Sequence, residues 1–143
     1  MIGLDTNVLV RYIMRDDPTQ TVDADALMAT LTPREPGLIN PIVLAELWWV
    51  LGASYHRTSA DRCALFTVLL DTDELKIVSE PAARKALSLT RQGADFADAL
   101  IAEMNSEAGV TTATFDRDAI RRAGMVEAGG PVAASHAKSP RRV

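Results

Sequence analysis

A chain of 143 residues, 48% hydrophobic and 24% charged, has enough material for one domain with a real core. Its single cysteine, Cys63, excludes an internal disulfide and suits a reducing cytoplasm. The net charge of −4 conceals an asymmetry: residues 1–128 carry 12 basic against 19 acidic side chains, while 129–143 add Lys138, Arg141 and Arg142 without an acid. Such an acidic body argues against nucleic-acid binding by surface cations alone, unless the acids hold metal ions that meet the phosphate.

The opening "MIGLDTNVLV" lacks a basic n-region and has Asp5 within its apolar run, unlike a signal peptide. "MIGLD" reads as a short buried strand, and "TNVLVRYIMR" as a helix. A second helix follows Pro18 and is broken by "PREPG". "GLIN" is a strand, and an apolar helix runs from about Pro41 to Tyr55. That run approaches membrane-spanning length, but Asn40, Pro41, Gly52, Ser54 and the central Glu46 favour a buried helix.

"SADRCALFTVLLD" follows as an amphipathic helix with Ser59 as its expected N-cap. "ELKIVS" is a strand, "PAARKALSLTRQ" a helix stopped by Gly93, and "DFADALIAEMNSEAG" a further helix. "VTTATF", "DRDAIRRAG" and "MVEA" then read as strand, short helix and final strand. Strands alternating with helices predict an α/β fold, a parallel sheet covered on both faces. Ligands of such folds meet the carboxyl ends of the strands. The expected organisation is one domain over 1–128 and a flexible basic tail over 129–143.

Glu46 is the one formal charge in "GLINPIVLAELWWVLGASYH", with Ile42, Val43, Trp49 and Val50 as its helical neighbours. Buried there, it would need a proton or a cation. Asp5 ends the first strand and also suits a helix N-cap. Asp95 suits the N-cap of the next helix with Asp98 at its N3 position, and Asp116 can cap "RDAIRRAG". Taken together, Asp5 and Asp116 leave the carboxyl ends of strands, Glu46 falls in the helix following the second strand, and Asp98 opens a helix entering the same edge. Carboxylates about 5 Å apart repel by roughly 3 kcal/mol at an effective dielectric of about 20, so such a cluster calls for protons or cations. Oxygen ligands without a His or Cys set favour Mg²⁺ or Mn²⁺ over zinc. His56 and His136 are isolated, and Cys63 sits where core packing is expected.

With these residues in place, the chain resembles the PIN-domain ribonucleases, particularly the VapC-like toxins of bacterial toxin–antitoxin pairs. The matching segments are "IGLDTNVLVRYI", "NPIVLAELWWVL", "GADFADALIAEMN" and "VTTATFDRDA", in the family's order. The resemblance implies a three-layer α/β/α sandwich around a central parallel sheet. It assigns the metal-binding, catalytic acids to Asp5, Glu46, Asp98 and Asp116. Accessory roles fall to Asn7, which supports the first Asp, to Thr114 and Asp95, and to Thr6, which contributes a hydroxyl or begins the helix. Ala119 stands where the family commonly has an aromatic.

The activity so implied is Mg²⁺-dependent hydrolysis of RNA, with Mn²⁺ as a substitute, leaving 5′-phosphate and 3′-hydroxyl ends. The implied partners are an RNA substrate, a cognate antitoxin and a second copy of the chain, in the cytoplasm and without a membrane. Arg11, Arg15, Arg117, Arg121 and Arg122 are candidates for the RNA backbone, each competing with a solvated-surface role; Arg141 and Arg142 can reach RNA from the tail. Trp48 and Trp49 read as core or interface residues.

Other classes fit less well. A receiver domain wants a lysine near its last strand, and after Lys85 only Lys138 remains. "DTNVL" is not the Gly-rich turn of a dinucleotide-binding enzyme, and Asn7 stands where a haloacid-dehalogenase-like phosphatase needs its second Asp. The strongest alternative is a catalytically idle PIN-like module that binds metal or protein.

Overall fold

The computed structural model describes residues 1–131. The chain divides into two compact units, Met1–Arg84 and Lys85 onward.

In the first unit, β1 (Ile2–Gly3), β2 (Gly37–Ile39) and β3 (Leu75–Ile77) form a sheet in the order β1-β2-β3, parallel throughout. Parallel pairing brings all three carboxyl ends to one edge. The helices α1 (Thr6–Met14) and α3 (Pro41–Ala53) leave that edge directly after β1 and β2 and pack on each other. Between them runs α2 (Pro18–Ala29), with Pro18 at its first position and the Asp17 carboxylate accepting from the Gln20 amide. α3 opens likewise: the Asn40 side chain accepts from the Val43 amide at 3.0 Å, and Pro41 follows.

The core of this unit is built from Leu4, Leu9, Ile39, Leu44, Leu47, Leu51 and Phe66, all nearly or fully buried. Phe66 lies on α4 (Ser59–Leu70) and meets Trp48 edge-on with ring centroids 5.4 Å apart. The Arg62 guanidinium covers the other partner, 4.2 Å from the Trp48 ring centroid, and donates to the Trp48 carbonyl. Gly52 admits that guanidinium, because a Cβ there would come within 2.6 Å of it. The N-cap of α4 is Thr58, not the expected Ser59: the Thr58 hydroxyl accepts from the Asp61 amide.

α5 (Glu80–Arg91) begins in the first unit and runs into the second. Gly93 ends it as expected, at φ +107°, a left-handed conformation that costs glycine nothing. There follow α6 (Phe96–Glu107), β4 (Ala113–Thr114), α7 (Arg117–Arg122) and β5 (Val126–Glu127). β4 and β5 pair parallel, Ala113 opposite Val126. The side-chain amide of Asn105 donates to the Thr112 hydroxyl and ties α6 to the approach to β4. Ala119, Ala123 and Met125 form a buried cluster against Ala102, so the small side chain at 119 shares its cluster with two further alanines and one methionine.

The α/β class with parallel strand pairing is the one read from the sequence, and it is consistent with an α/β/α sandwich. The strands are shorter than their apolar runs. In particular, Phe115 lies outside β4, whereas the run "VTTATF" predicted it as strand. His136, Lys138, Arg141, Arg142 and the rest of the expected tail beyond residue 131 lie outside the described residues.

Candidate active site

The first unit presents Asp5 and Glu46 on the helices that leave the carboxyl edge of its sheet. Asp5 occupies the N-cap position of α1 but makes no side-chain capping bond, so its exposed carboxylate is free of the structural duty the sequence offered it. Behind it, Thr6 is buried and its hydroxyl has no hydrogen-bond partner among the described residues. An orphaned buried hydroxyl is uncommon. Asn7 is exposed, makes no hydrogen bond to Asp5, and instead borders a cavity of about 280 Å³ shared with Arg11 and Gln20.

Glu46 requires a correction. It is exposed, and so are Ile42 at 77% and Trp49 at 67% on the same face of α3. The buried face consists of Val43, Leu44, Leu47, Trp48 and Leu51. Glu46 is therefore not a carboxylate trapped in the core, and no burial penalty demands a partner for it. Of the two tryptophans, Trp48 is core as expected and Trp49 is not.

The second unit gathers its acids. Asp95 caps α6 through Oδ2, which accepts from the Asp98 amide at 3.0 Å. Asp116 caps α7 through Oδ1, which accepts from the amides of Asp118 and Ala119. Both capping roles are those the sequence allowed. They leave the second oxygen of each carboxylate uncommitted. Thr114 has a definite function: its hydroxyl accepts from the Asp116 amide and fixes the turn that presents Asp116.

Asp98, half-buried at the third position of α6, has its pKa raised, first by desolvation and then by the negative charges of Asp95 and Asp116. The charges of Asp95 and Asp116 thus both act on Asp98, and no cation among the described residues forms an ion pair with any of the three. The arrangement is a locus of unbalanced negative charge rather than a finished coordination cage. Among the described residues, no group of three or more His, Cys, Asp or Glu side chains stands in ready metal-ligand geometry.

The arginines divide sharply. Arg11 donates to Asp16, Gln20 and Tyr55, and the Tyr55 hydroxyl donates in turn to Asp16 at 2.6 Å. Arg15 holds Asp25 with two bonds of 2.9 and 2.7 Å. These two candidates for RNA contact are occupied by structural ion pairs. Arg121 pairs with Asp118, and Arg122 donates to the Gly93 carbonyl. Arg117, exposed beside Asp116, has no ion-pair or hydrogen-bonding side-chain partner among the described residues.

The PIN domain family model matches residues 2–125, and the chain belongs to that family. PIN domains are generally metal-dependent nucleases, and nuclease is the class of protein that the family match supports. No curated protein matches the chain significantly. No helix among the described residues is long and apolar enough to cross a membrane.

Proposed function

We propose that this PIN domain is a Mg²⁺-dependent endoribonuclease and the toxin of a toxin–antitoxin pair, with Asp5, Glu46, Asp98 and Asp116 as its metal-binding, catalytic acids. The observation that carries the reading is the setting of Asp98, half-buried under the negative charges of Asp95 and Asp116 with no cation paired to it among the described residues, in a chain that matches the PIN family. We take residues 1–128 as one PIN domain, of which the family match covers 2–125, and 129–143 as a basic tail.

The donor chemistry fits a hard divalent ion: carboxylate oxygens, the unpartnered hydroxyl of Thr6 nearby in sequence, and no histidine or thiol. When bound, Mg²⁺ or Mn²⁺ polarises the scissile RNA phosphate and lowers the pKa of the attacking water. Asp116, anchored by Thr114 and by two helix amides, keeps one oxygen in a fixed direction. Asp95 plays the same part for the first turn of α6 and, as an accessory acid, raises the negative field at Asp98. Asn7 and Thr6 flank Asp5 as accessory groups. No residue with an imidazole is required for proton transfer.

The exposed Ile42 and Trp49, and the largely apolar cavity lined by Val8, Ala24 and Leu27, support partners that cover them: a second copy of the chain and a cognate antitoxin in the cytoplasm. The test is cleavage of a panel of structured and single-stranded RNAs by purified, antitoxin-free protein with Mg²⁺, Mn²⁺ or chelator. Metal-dependent cleavage leaving 5′-phosphates, lost in folded Asp5→Asn and Glu46→Gln variants, is the expected result. Folded protein that binds Mn²⁺ and cuts nothing would instead establish the idle metal-binding module.

A further inference from the structure

Phe115 is the most exposed of the large apolar side chains among the described residues, at 88%, whereas Phe66 and Phe96 are at 1%. A lone exposed apolar residue is ordinary in itself. Three further features distinguish this one. Its backbone is moored on both sides, because the Asp116 amide donates to the Thr114 hydroxyl and Asp116 Oδ1 holds the Asp118 and Ala119 amides. It immediately precedes Asp116, one of the proposed catalytic acids. It is followed by Arg117, an exposed cation whose side chain has no partner among the described residues.

Its near neighbours in the chain, Thr112, Thr114, Asp116, Arg117 and Asp118, are polar or charged, and the one exposed apolar residue among them is the small Ala113. A protein partner would want contiguous apolar surface. A single aromatic face next to a free guanidinium is instead the pair of contacts that an unpaired nucleotide uses, the base stacking on the ring and the phosphate meeting the cation.

We propose that the Phe115 ring is a stacking platform for a nucleobase adjoining the phosphate addressed at Asp116, with Arg117 on the neighbouring backbone. This rests on the nuclease reading above.

The test measures binding of short single-stranded RNAs of mixed sequence to the full chain, with Ca²⁺ in place of Mg²⁺, and cleavage of the same RNAs with Mg²⁺. Phe115→Ala should weaken binding about tenfold and Phe115→Trp should restore it, as expected for one stacked base. An abasic nucleotide scanned along one strand that the parent binds and cuts should reproduce the loss at one position, and Phe115→Ala should be insensitive to it there. Equal binding and cleavage by the parent and Phe115→Ala would overturn the inference and leave the nuclease reading intact. So would a Phe115→Ala variant with unchanged RNA affinity but an altered oligomeric mass, which would make the ring a protein contact. A parent that neither binds nor cuts any RNA overturns both.

Discussion

Two sets of carboxylates, one in each unit, are used in opposite ways. In the first, Asp16 and Asp25 are neutralised by Arg11 and Arg15, and both acids have lowered pKa values, Asp16 chiefly through the Tyr55 hydroxyl and Asp25 through the Arg15 guanidinium. In the second, Asp95 and Asp116 act on Asp98 with no such cation paired to them among the described residues, and the pKa of Asp98 is raised. Ion pairs that satisfy each other hold helices in place. Acids left in mutual repulsion weaken the apo fold and become useful only when something positive arrives. Exposure alone does not separate structural carboxylates from candidate functional ones, since Asp16 and Asp116 are both exposed.

The contrast can be broken most severely at the acid cluster. Asp98→Asn keeps the shape of the side chain and removes its charge; nuclease activity should fall by about 100-fold or more, since even outer-shell changes at metal sites cost roughly 10- to 100-fold. Single-turnover cleavage at saturating Mg²⁺ measures it, and retained activity would remove Asp98 from the site. Metal removal comes next: chelator should abolish cleavage and lower the melting temperature of the parent protein, because a ligand bound only by the native state stabilises it. The same chelator should shift Asp98→Asn less, which differential scanning fluorimetry would show.

A smaller effect tests the scaffold alone. Asn40→Ala removes the side-chain cap of α3 and should destabilise the protein by about 1 kcal/mol in urea unfolding. The smallest effects sharpen the comparison by their sign. Asp16 has its folded pKa depressed, so its stabilising contribution is present above the unfolded pKa and is lost as pH falls through the folded value. Asp98 has its folded pKa raised, so its ionisation destabilises the fold as pH rises through that value. In metal-free buffer, Asp16→Asn should therefore destabilise at neutral pH and Asp98→Asn should stabilise, and both differences should vanish in strong acid. Melting curves across the carboxylate range would reveal it, and shifts of the same sign for both variants would refute the division of roles.

Much of this molecule is local chemistry and was legible residue by residue. The alternation of strands and helices, the left-handed stop at Gly93, and the caps at Asp95 and Asp116 depend on backbone preferences and side chains a few positions away. The family's four acid-bearing segments are equally local, and the match over 2–125 agrees with them. What the sequence could not reveal is which way each face turns. α3 has apolar residues on both sides, so periodicity did not distinguish the buried Leu47 and Trp48 from the exposed Ile42 and Trp49, and Glu46 was read as buried. Arg11 and Tyr55 are 44 residues apart, and only tertiary packing brings both to Asp16 and withdraws Arg11 from the RNA-binding candidates. Phe115 looked like the last residue of a strand until the turn that presents Asp116 set it outside. Composition and local spacing determined the elements and nominated the acids; long-range packing decided which charges cancel and which remain unbalanced, because solvation and Coulomb energy depend on neighbours in space rather than along the chain.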